Sequence, residues 1–239
     1  LLIYFFIGSL FFLNINDVDH LESIQDYDAE FEMIGELYES DSENANILWR
    51  LARAYFNQAE QTSDPDAKNK FYYMGYDHSK YALALDSGLA RSNHWYAVFH
   101  GQIGLIEGTK QKIINSYDIL KYGQRAIELD DTYGGTFHLL GRLHYELDNL
   151  SWIERNIASL IYETPPIGTF EEAEKYFNHA IRIESDEIRH WLWLGKTHIK
   201  LDNLKQAKFC FTQILRLEVK DQKDMLMLSE SKDLLEDIK

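Results

Sequence analysis

The chain has 239 residues, a formal charge of −15 and a pI near 5.0. So acidic a protein lacks the basic surface that general nucleic-acid binding needs, and its 45% hydrophobic content excludes general disorder. Three prolines argue against a turn-rich β protein. A single cysteine excludes a disulfide framework and a cysteine-based zinc site, which suits a reducing compartment.

The first thirteen residues are apolar apart from Ser9. As a helix they span about 20 Å, short of the roughly 30 Å hydrocarbon core of a bilayer. Because the sequence does not begin with methionine, we interpret residues 1–13 as a hydrophobic segment that belongs to a truncated membrane anchor. A remnant of a signal peptide and an apolar segment packed on the protein body are the alternatives.

Residues 14–45 form the next predicted region, an acidic linker followed by an N-terminal helix. Asn14 to Asp19 reads as a short polar linker, and residues 20–40 are predicted to form one acidic helix. Eleven acidic residues and no lysine or arginine occur among residues 1–49, so most of the negative charge belongs to this end of the chain.

A repeated helical pattern fills residues 46–223. The clearest unit has tetratricopeptide spacing, with Trp191, Leu194, Gly195, His198, Ala207 and Phe211 at the marker positions. Corresponding positions in the unit before it hold Phe137, Leu140, Gly141, His144, Ala173, Phe177 and Ala180. Two more degenerate units precede these in the same register, giving four predicted units over residues 46–88, 93–132, 135–186 and 189–222.

The first three units are longer than the last one. Their first and second helices are separated by about 11, 8 and 20 additional residues, respectively. Residues 150–162 are predicted to be an inserted helix in the third unit. Asp64-Pro65 and the capping box Thr169–Glu172 predict two helix starts. An amphipathic closing helix is expected over residues 224–239. The predicted fold is therefore an all-α, tetratricopeptide-like solenoid of four units with an inserted helix and flanking helices.

Several segments carry a family resemblance, namely residues 48–54 (LWRLARA), 94–97 (HWYA), 107–113 (EGTKQKI) and 152–158 (WIERNIA) with 164–166 (TPP). Over about Ile34 to Leu217 the chain resembles the regulator of microtubule dynamics family. The resemblance implies a non-enzymatic helical domain associated with microtubules, spindle poles and chromosome segregation. It also implies that some members are anchored at mitochondria or endoplasmic-reticulum contacts, where the domain is similar to a phospholipid-binding module. The acidic segment Leu21–Glu43 departs from what binding to the acidic tubulin lattice would favour.

A binding groove is the candidate functional site. In this repeat fold the first helix of each unit lines the concave face, and the residue after each small-residue site should point there, away from the helix-pair core. These positions hold Arg53, His100, Arg142 and Lys196, with Arg189 and Lys200 flanking the last and with Trp49, Tyr96 and Tyr145 as aromatic neighbours. A basic stripe among aromatic residues suits an acidic peptide or an anionic phospholipid. An ordinary solvated helix face balanced by nearby acids is the remaining alternative.

The sequence predicts no catalytic residue, metal site or cofactor. Neither a His-Glu-x2-His motif nor a Gly-x-Ser-x-Gly motif occurs, and Cys210 lies on a packing helix. We therefore expect a cytoplasmic, microtubule- or spindle-associated adaptor that binds microtubules or acidic peptide segments and no nucleic acid. The alternative is a phospholipid-binding or lipid-transfer module anchored through residues 1–13 to the cytosolic face of mitochondria or endoplasmic reticulum.

Overall fold

A computed structural model describes residues 14–151, 155–156 and 166–238. This described part of the chain contains eleven helices longer than one turn and no strand, which confirms the predicted all-α fold. The chain divides into two compact units, residues 1–85 and residues 86–239.

The first unit contains four helices: α1 (Ile15–Ser23), α2 (Tyr27–Ser40), α3 (Ala45–Gln61) and α4 (Pro65–Leu85). The expected linker at its start is wrong. Asn14 caps α1 by accepting a hydrogen bond from the backbone N–H of Asn16, at 3.0 Å, and Val18 is fully buried. The single acidic helix expected over residues 20–40 is likewise interrupted, because Gln25 adopts a left-handed conformation with φ of 61°.

The third and fourth helices form the predicted first repeat. They pack against each other, and α3 also packs on α2. Val18, Ile34, Leu51 and Tyr55 belong to one buried cluster, in which the ring of Tyr55 stacks on His78 with centroids 5.3 Å apart. The predicted start of α4 is confirmed at Pro65. The apolar positions of the repeat pattern therefore do form the core of this unit.

The second unit contains α5 (Ala90–Glu107), α6 (Thr109–Leu129), α7 (Gly134–Asp148), α8 (Phe170–Ile183), α9 (Ile188–Lys200), α10 (Leu204–Ile214) and α11 (Gln222–Asp237). Three antiparallel pairs follow one another, α5 with α6, α7 with α8, and α9 with α10. Each pair also contacts the next, because α6 packs on α7 and α8 packs on α9. This succession is the arrangement that the repeat pattern predicts.

The small residues of the pattern allow a close approach within each pair. A Cβ atom on Gly141 would lie 2.7 Å from the ring of Phe177, and Gly195 faces Phe211 in the same way. Both phenylalanines are fully buried. A glycine on the first helix of a pair therefore packs against a phenylalanine on the second helix, and this contact is repeated in α7/α8 and in α9/α10.

The longer intervals of the first two repeats lengthen their helices. Both α4 and α6 have 21 residues, whereas α10 has eleven. Gly108, with a φ of 91°, joins α5 directly to α6. The inserted helix expected over residues 150–162 falls largely outside the described residues. The expected start of α8 is confirmed, since the hydroxyl of Thr169 accepts a hydrogen bond from the N–H of Glu172 at 3.1 Å.

Candidate functional site

The residues of the predicted basic stripe belong to both units. Trp49 and Arg53 lie on α3 of the first unit. The others lie on α5, α7 and α9 of the second unit: Tyr96, His100, Arg142, Tyr145, Arg189, Lys196 and Lys200. The surroundings of these side chains differ widely in burial and in charge.

Arg53 is a buried structural residue, and the expectation that it faces outward is wrong. Only 8% of its surface is exposed. Its Nε donates to Glu30 on α2 at 2.8 Å, and its Nη1 lies 3.1 Å from Asp19 on α1. The side chain of Glu30 is completely buried and also accepts from Nδ2 of Asn57 at 2.8 Å. Carboxylates of α1 and α2 therefore pair with the guanidinium of Arg53 inside the first unit.

The electrostatics of Arg53 follow from this arrangement. Burial alone would lower the pKa of its guanidinium, but Glu30, Glu22 and Asp19 together outweigh burial and raise that pKa. For Glu30, burial is the largest effect and raises the pKa of its carboxyl despite the attraction of Arg53. Trp49, also buried, lies beneath the guanidinium of Arg50 at 4.0 Å. These residues hold α1 and α2 against α3.

Arg142 and Lys196 both contact one aromatic ring in the second unit. The guanidinium carbon of Arg142 on α7 lies 3.5 Å from the ring centroid of Trp193 on α9. Nζ of Lys196 lies 4.4 Å from the same centroid. Tyr145 packs edge-on against Trp193, with centroids 5.2 Å apart. We call Arg142, Tyr145, Trp193, Lys196 and Glu230, described next, the Trp193 cluster.

Acidic side chains only partly neutralise this cluster. Glu146 approaches Nη2 of Arg142 at 3.5 Å, a long ion pair, and it also lies 3.8 Å from Nζ of Lys112 on α6. Glu230 on α11 lies 2.5 Å from Nζ of Lys196. Burial lowers the pKa of Arg142 more than Glu146 raises it. Nε of Arg142 is buried and has no hydrogen-bond partner among the described residues.

Arg142 and Arg53 thus differ although they occupy equivalent sequence positions. Three carboxylates lie within 4 Å of Arg53, although its buried Nη2, like Nε of Arg142, has no hydrogen-bond partner among the described residues. Arg142 is desolvated without full compensation, yet 35% of its side chain remains exposed. A cation in this state gains from an additional anionic partner, because a charge removed from water is stabilised only by pairing.

The remaining stripe residues of the second unit have neighbours of their own. His100 is buried beside Asp118, with Nε2 and Oδ2 3.8 Å apart, and Tyr96 packs edge-on against it at 4.5 Å. Arg189 pairs with Glu187 at 3.4 Å and with Glu184 at 3.7 Å. Lys200 is exposed at the end of α9. Much of the stripe is therefore balanced by neighbouring acids.

A buried histidine network lies beside Arg189, and the repeat pattern does not predict it. Nδ1 of His190 lies 3.0 Å from Nδ1 of His138, and Nε2 of His190 lies 3.0 Å from a carboxylate oxygen of Glu184. The other oxygen of Glu184 accepts from the N–H of Gly134 at 3.0 Å, at the start of α7. Burial holds the pKa of His138 well below its usual range, and the neighbouring His190 and Arg189 add to this effect. The network therefore links α7, α8 and α9.

Two members of the Trp193 cluster, Trp193 and Glu230, are not among the site residues predicted from the sequence. Trp193 lies two residues after the marker Trp191 and three before Lys196, a spacing that places it on the same helix face as Lys196. The sequence spacing alone therefore could have identified Trp193 as a neighbour of Lys196. Glu230 is 34 residues beyond Lys196, and no local pattern connects the two. The described residues contain no grouping of three or more metal-ligating side chains, and no helix among them is long and apolar enough to cross a membrane.

The paired helices and their repeated glycine–phenylalanine contacts define a tetratricopeptide-like helical-repeat protein. Solved structures share this fold. A thermophilic tetratricopeptide protein from Thermus thermophilus is similar with a TM-score of 0.64 and 13% identity, over 91% of this chain and 96% of that one. The pilF protein of Pseudomonas aeruginosa is similar with a TM-score of 0.56 and 14% identity, over 94% of this chain and 86% of that one.

The family is narrower than the fold. The family model for regulator of microtubule dynamics proteins 1–3 matches residues 14–239, and the chain belongs to this family. It is 34% identical to regulator of microtubule dynamics protein 1 of Bos taurus, over 82% of this chain and 62% of the relative. The Caenorhabditis elegans protein of that name is 27% identical, over 91% of this chain and 96% of the relative. The chain spans less than two thirds of the length of the mammalian relatives.

Proposed function

We propose that this chain is a non-enzymatic adaptor in microtubule regulation that binds an acidic peptide segment of its partner through Arg142, Trp193 and Lys196. The observation that carries the proposal is the position of Arg142, which lies 3.5 Å from the ring centroid of Trp193, has a long ion pair of 3.5 Å with Glu146 and keeps 35% of its side chain exposed. Membership in the regulator of microtubule dynamics family supports the cellular context. Microtubules fit the chemistry because their surface is acidic.

The geometry of the cluster suits a peptide carboxylate. Arg142 and Lys196 lie 3.5 and 4.4 Å from the same ring centroid, so neighbouring acidic side chains of one peptide segment can pair with the two cations. About one third of the Arg142 side chain is exposed, and a carboxylate oxygen is a natural acceptor for a guanidinium N–H. In the first unit the equivalent residue, Arg53, is paired internally with Glu30.

A binding experiment tests the proposal. The probe is a fluorescent ten-residue polyglutamate peptide, and microtubule cosedimentation is the second readout. The variant Arg142→Glu/Lys196→Glu should bind about 2- to 30-fold more weakly, before added repulsion, because each exposed charge contact contributes about 0.2–1 kcal/mol. The binding difference should shrink at 1 M salt, where the Debye length is about 3 Å.

The matched control is Lys205→Glu/Lys208→Glu, which makes the same charge change at two exposed positions of α10. We expect this variant to bind the peptide with nearly wild-type affinity. Equal losses in both variants would show that only net charge matters and would refute the site. If Arg142→Glu/Lys196→Glu loses binding to phosphatidic-acid liposomes while peptide and microtubules never bind, the phospholipid-binding alternative replaces the proposal.

A further inference from the structure

The last helix of the chain already supplies a carboxylate to the Trp193 cluster. Oε1 of Glu230 lies 2.5 Å from Nζ of Lys196. The same carboxylate is close enough to act electrostatically on Arg142 and Tyr145, and its negative charge works to raise the pKa of both groups. Glu230 therefore lies where an acidic ligand of Lys196 would place its own carboxylate.

The helix that carries Glu230 is held less firmly than the helix before it. Of the 16 residues of α11 only Ser231 is buried, whereas α10 buries four of its eleven residues. The packed face of α11 consists of half-buried side chains, among them Met227, Leu228 and Leu234. Met225 and Leu226 remain 61% and 65% exposed. Helices with few buried apolar contacts open locally at low free-energy cost.

We propose that α11 is an internal competitor, with Glu230 occupying the carboxylate position of the Trp193 cluster until an acidic partner displaces it. This inference rests on the proposed function, because it concerns the regulation of the same site. Exchanging one carboxylate for another leaves the number of ion pairs on Lys196 unchanged. Because the partner binds only molecules in which the Lys196–Glu230 pair is open, its apparent affinity is its affinity for the open form multiplied by the fraction of open molecules.

The test compares the variant Glu230→Gln with the wild type, using the polyglutamate peptide as the probe. Removing the charge of Glu230 should tighten binding about 1.5- to 5-fold, the range that an exposed ion pair contributes. The control variant is Glu218→Gln, which removes one charge from an exposed residue just before α11 and should leave the affinity unchanged. In the wild type, saturating peptide should also accelerate hydrogen exchange of the α11 amides.

The outcomes separate this inference from the proposed function. Tighter binding of Glu230→Gln alone, with faster exchange in α11, supports the competitor. If Arg142→Glu/Lys196→Glu loses peptide binding but Glu230→Gln binds like the wild type, the competitor is wrong and the binding site stands. If Glu218→Gln binds the peptide as tightly as Glu230→Gln does, the change in affinity reflects net charge alone, and the proposal that α11 is a competitor is wrong. If neither the wild type nor Glu230→Gln binds the peptide, both proposals fail.

Discussion

Replacing Arg53 by leucine should destabilise the first unit strongly. The substitution leaves the carboxylate of Glu30, whose side chain is 0% exposed, with Asn57 as its remaining hydrogen-bond donor. Removing one partner of a buried ion pair costs about 3–5 kcal/mol, because the other charge stays buried without compensation. The same change at Arg142 should cost about 1 kcal/mol, since that side chain is one-third exposed and its ion pair is 3.5 Å long.

Hydrogen exchange of the α3 amides for Arg53→Leu, and of the α7 amides for Arg142→Leu, measures the two local costs in the full chain and without denaturant. The penalty should also depend on pH. Burial already raises the pKa of Glu30, and loss of Arg53 removes an attraction that lowers it. Protonation then relieves the unpaired charge, so the penalty of Arg53→Leu should decrease between pH 8 and pH 5.

The double variant Glu30→Met/Arg53→Met is the matched control. It removes both charges, and its expected cost is about 1–3 kcal/mol, mainly from the amide of Asn57, which loses its acceptor. It should therefore be more stable than Arg53→Leu at pH 8. A cost below about 1 kcal/mol for Arg53→Leu would contradict a structural role and return Arg53 to the candidate ligand-binding residues.

Packing and burial lead to three further predictions. Gly141→Ala should cost about 1–3 kcal/mol of unfolding free energy in denaturant titrations, whereas Gly35→Ala, with no atom within 4 Å of the new Cβ, should stabilise the protein slightly. Burial lowers the pKa of His94 and His138 well below 6.5, the value of an unfolded histidine. Below pH 6.5 the unfolded chain therefore binds protons that the folded chain does not, and the free energy of unfolding should fall by up to about 1.4 kcal/mol per pH unit for each histidine. An unfolding free energy that stays constant between pH 7 and pH 5 would contradict this. Burial raises the pKa of Cys210 to about 12, and iodoacetamide at pH 8 should label it only after unfolding; rapid labelling of the native chain would place the thiol at the surface.

The repeat pattern predicts the helix pairs well because the packing that creates the pattern is local. Gly141 and Phe177 face each other within one pair, and Gly195 and Phe211 repeat that contact in the next. Residue types at the marker positions are therefore sufficient to place α7 to α10, although the interval between α7 and α8 is about 20 residues longer than that between α9 and α10. The start of the chain is different. Asn14 reads as linker because its capping role is visible only once α1 is known to begin at Ile15.

The candidate site could be predicted only in part, because charge compensation depends on distant residues. Arg53 and Arg142 follow equivalent positions of their repeats, and nothing local distinguishes them. Glu30, 23 residues before Arg53, lies in an acidic run that resembles a solvated surface, yet it is fully buried. Glu230 reaches Lys196 from a helix outside the repeats. The sequence therefore identifies candidate cations, and the structure determines which of them keep an incompletely compensated charge.

The indole N–H resonance of Trp193 tests the central claim most directly. The full chain is labelled with nitrogen-15, the resonance is assigned with Trp193→Phe, and the polyglutamate peptide is added at 0.1 M salt. Binding at Arg142 and Lys196 predicts a saturable shift of this resonance, lost in Arg142→Glu/Lys196→Glu and retained in Lys205→Glu/Lys208→Glu. A peptide that binds without moving the Trp193 resonance would contradict the assignment of the site.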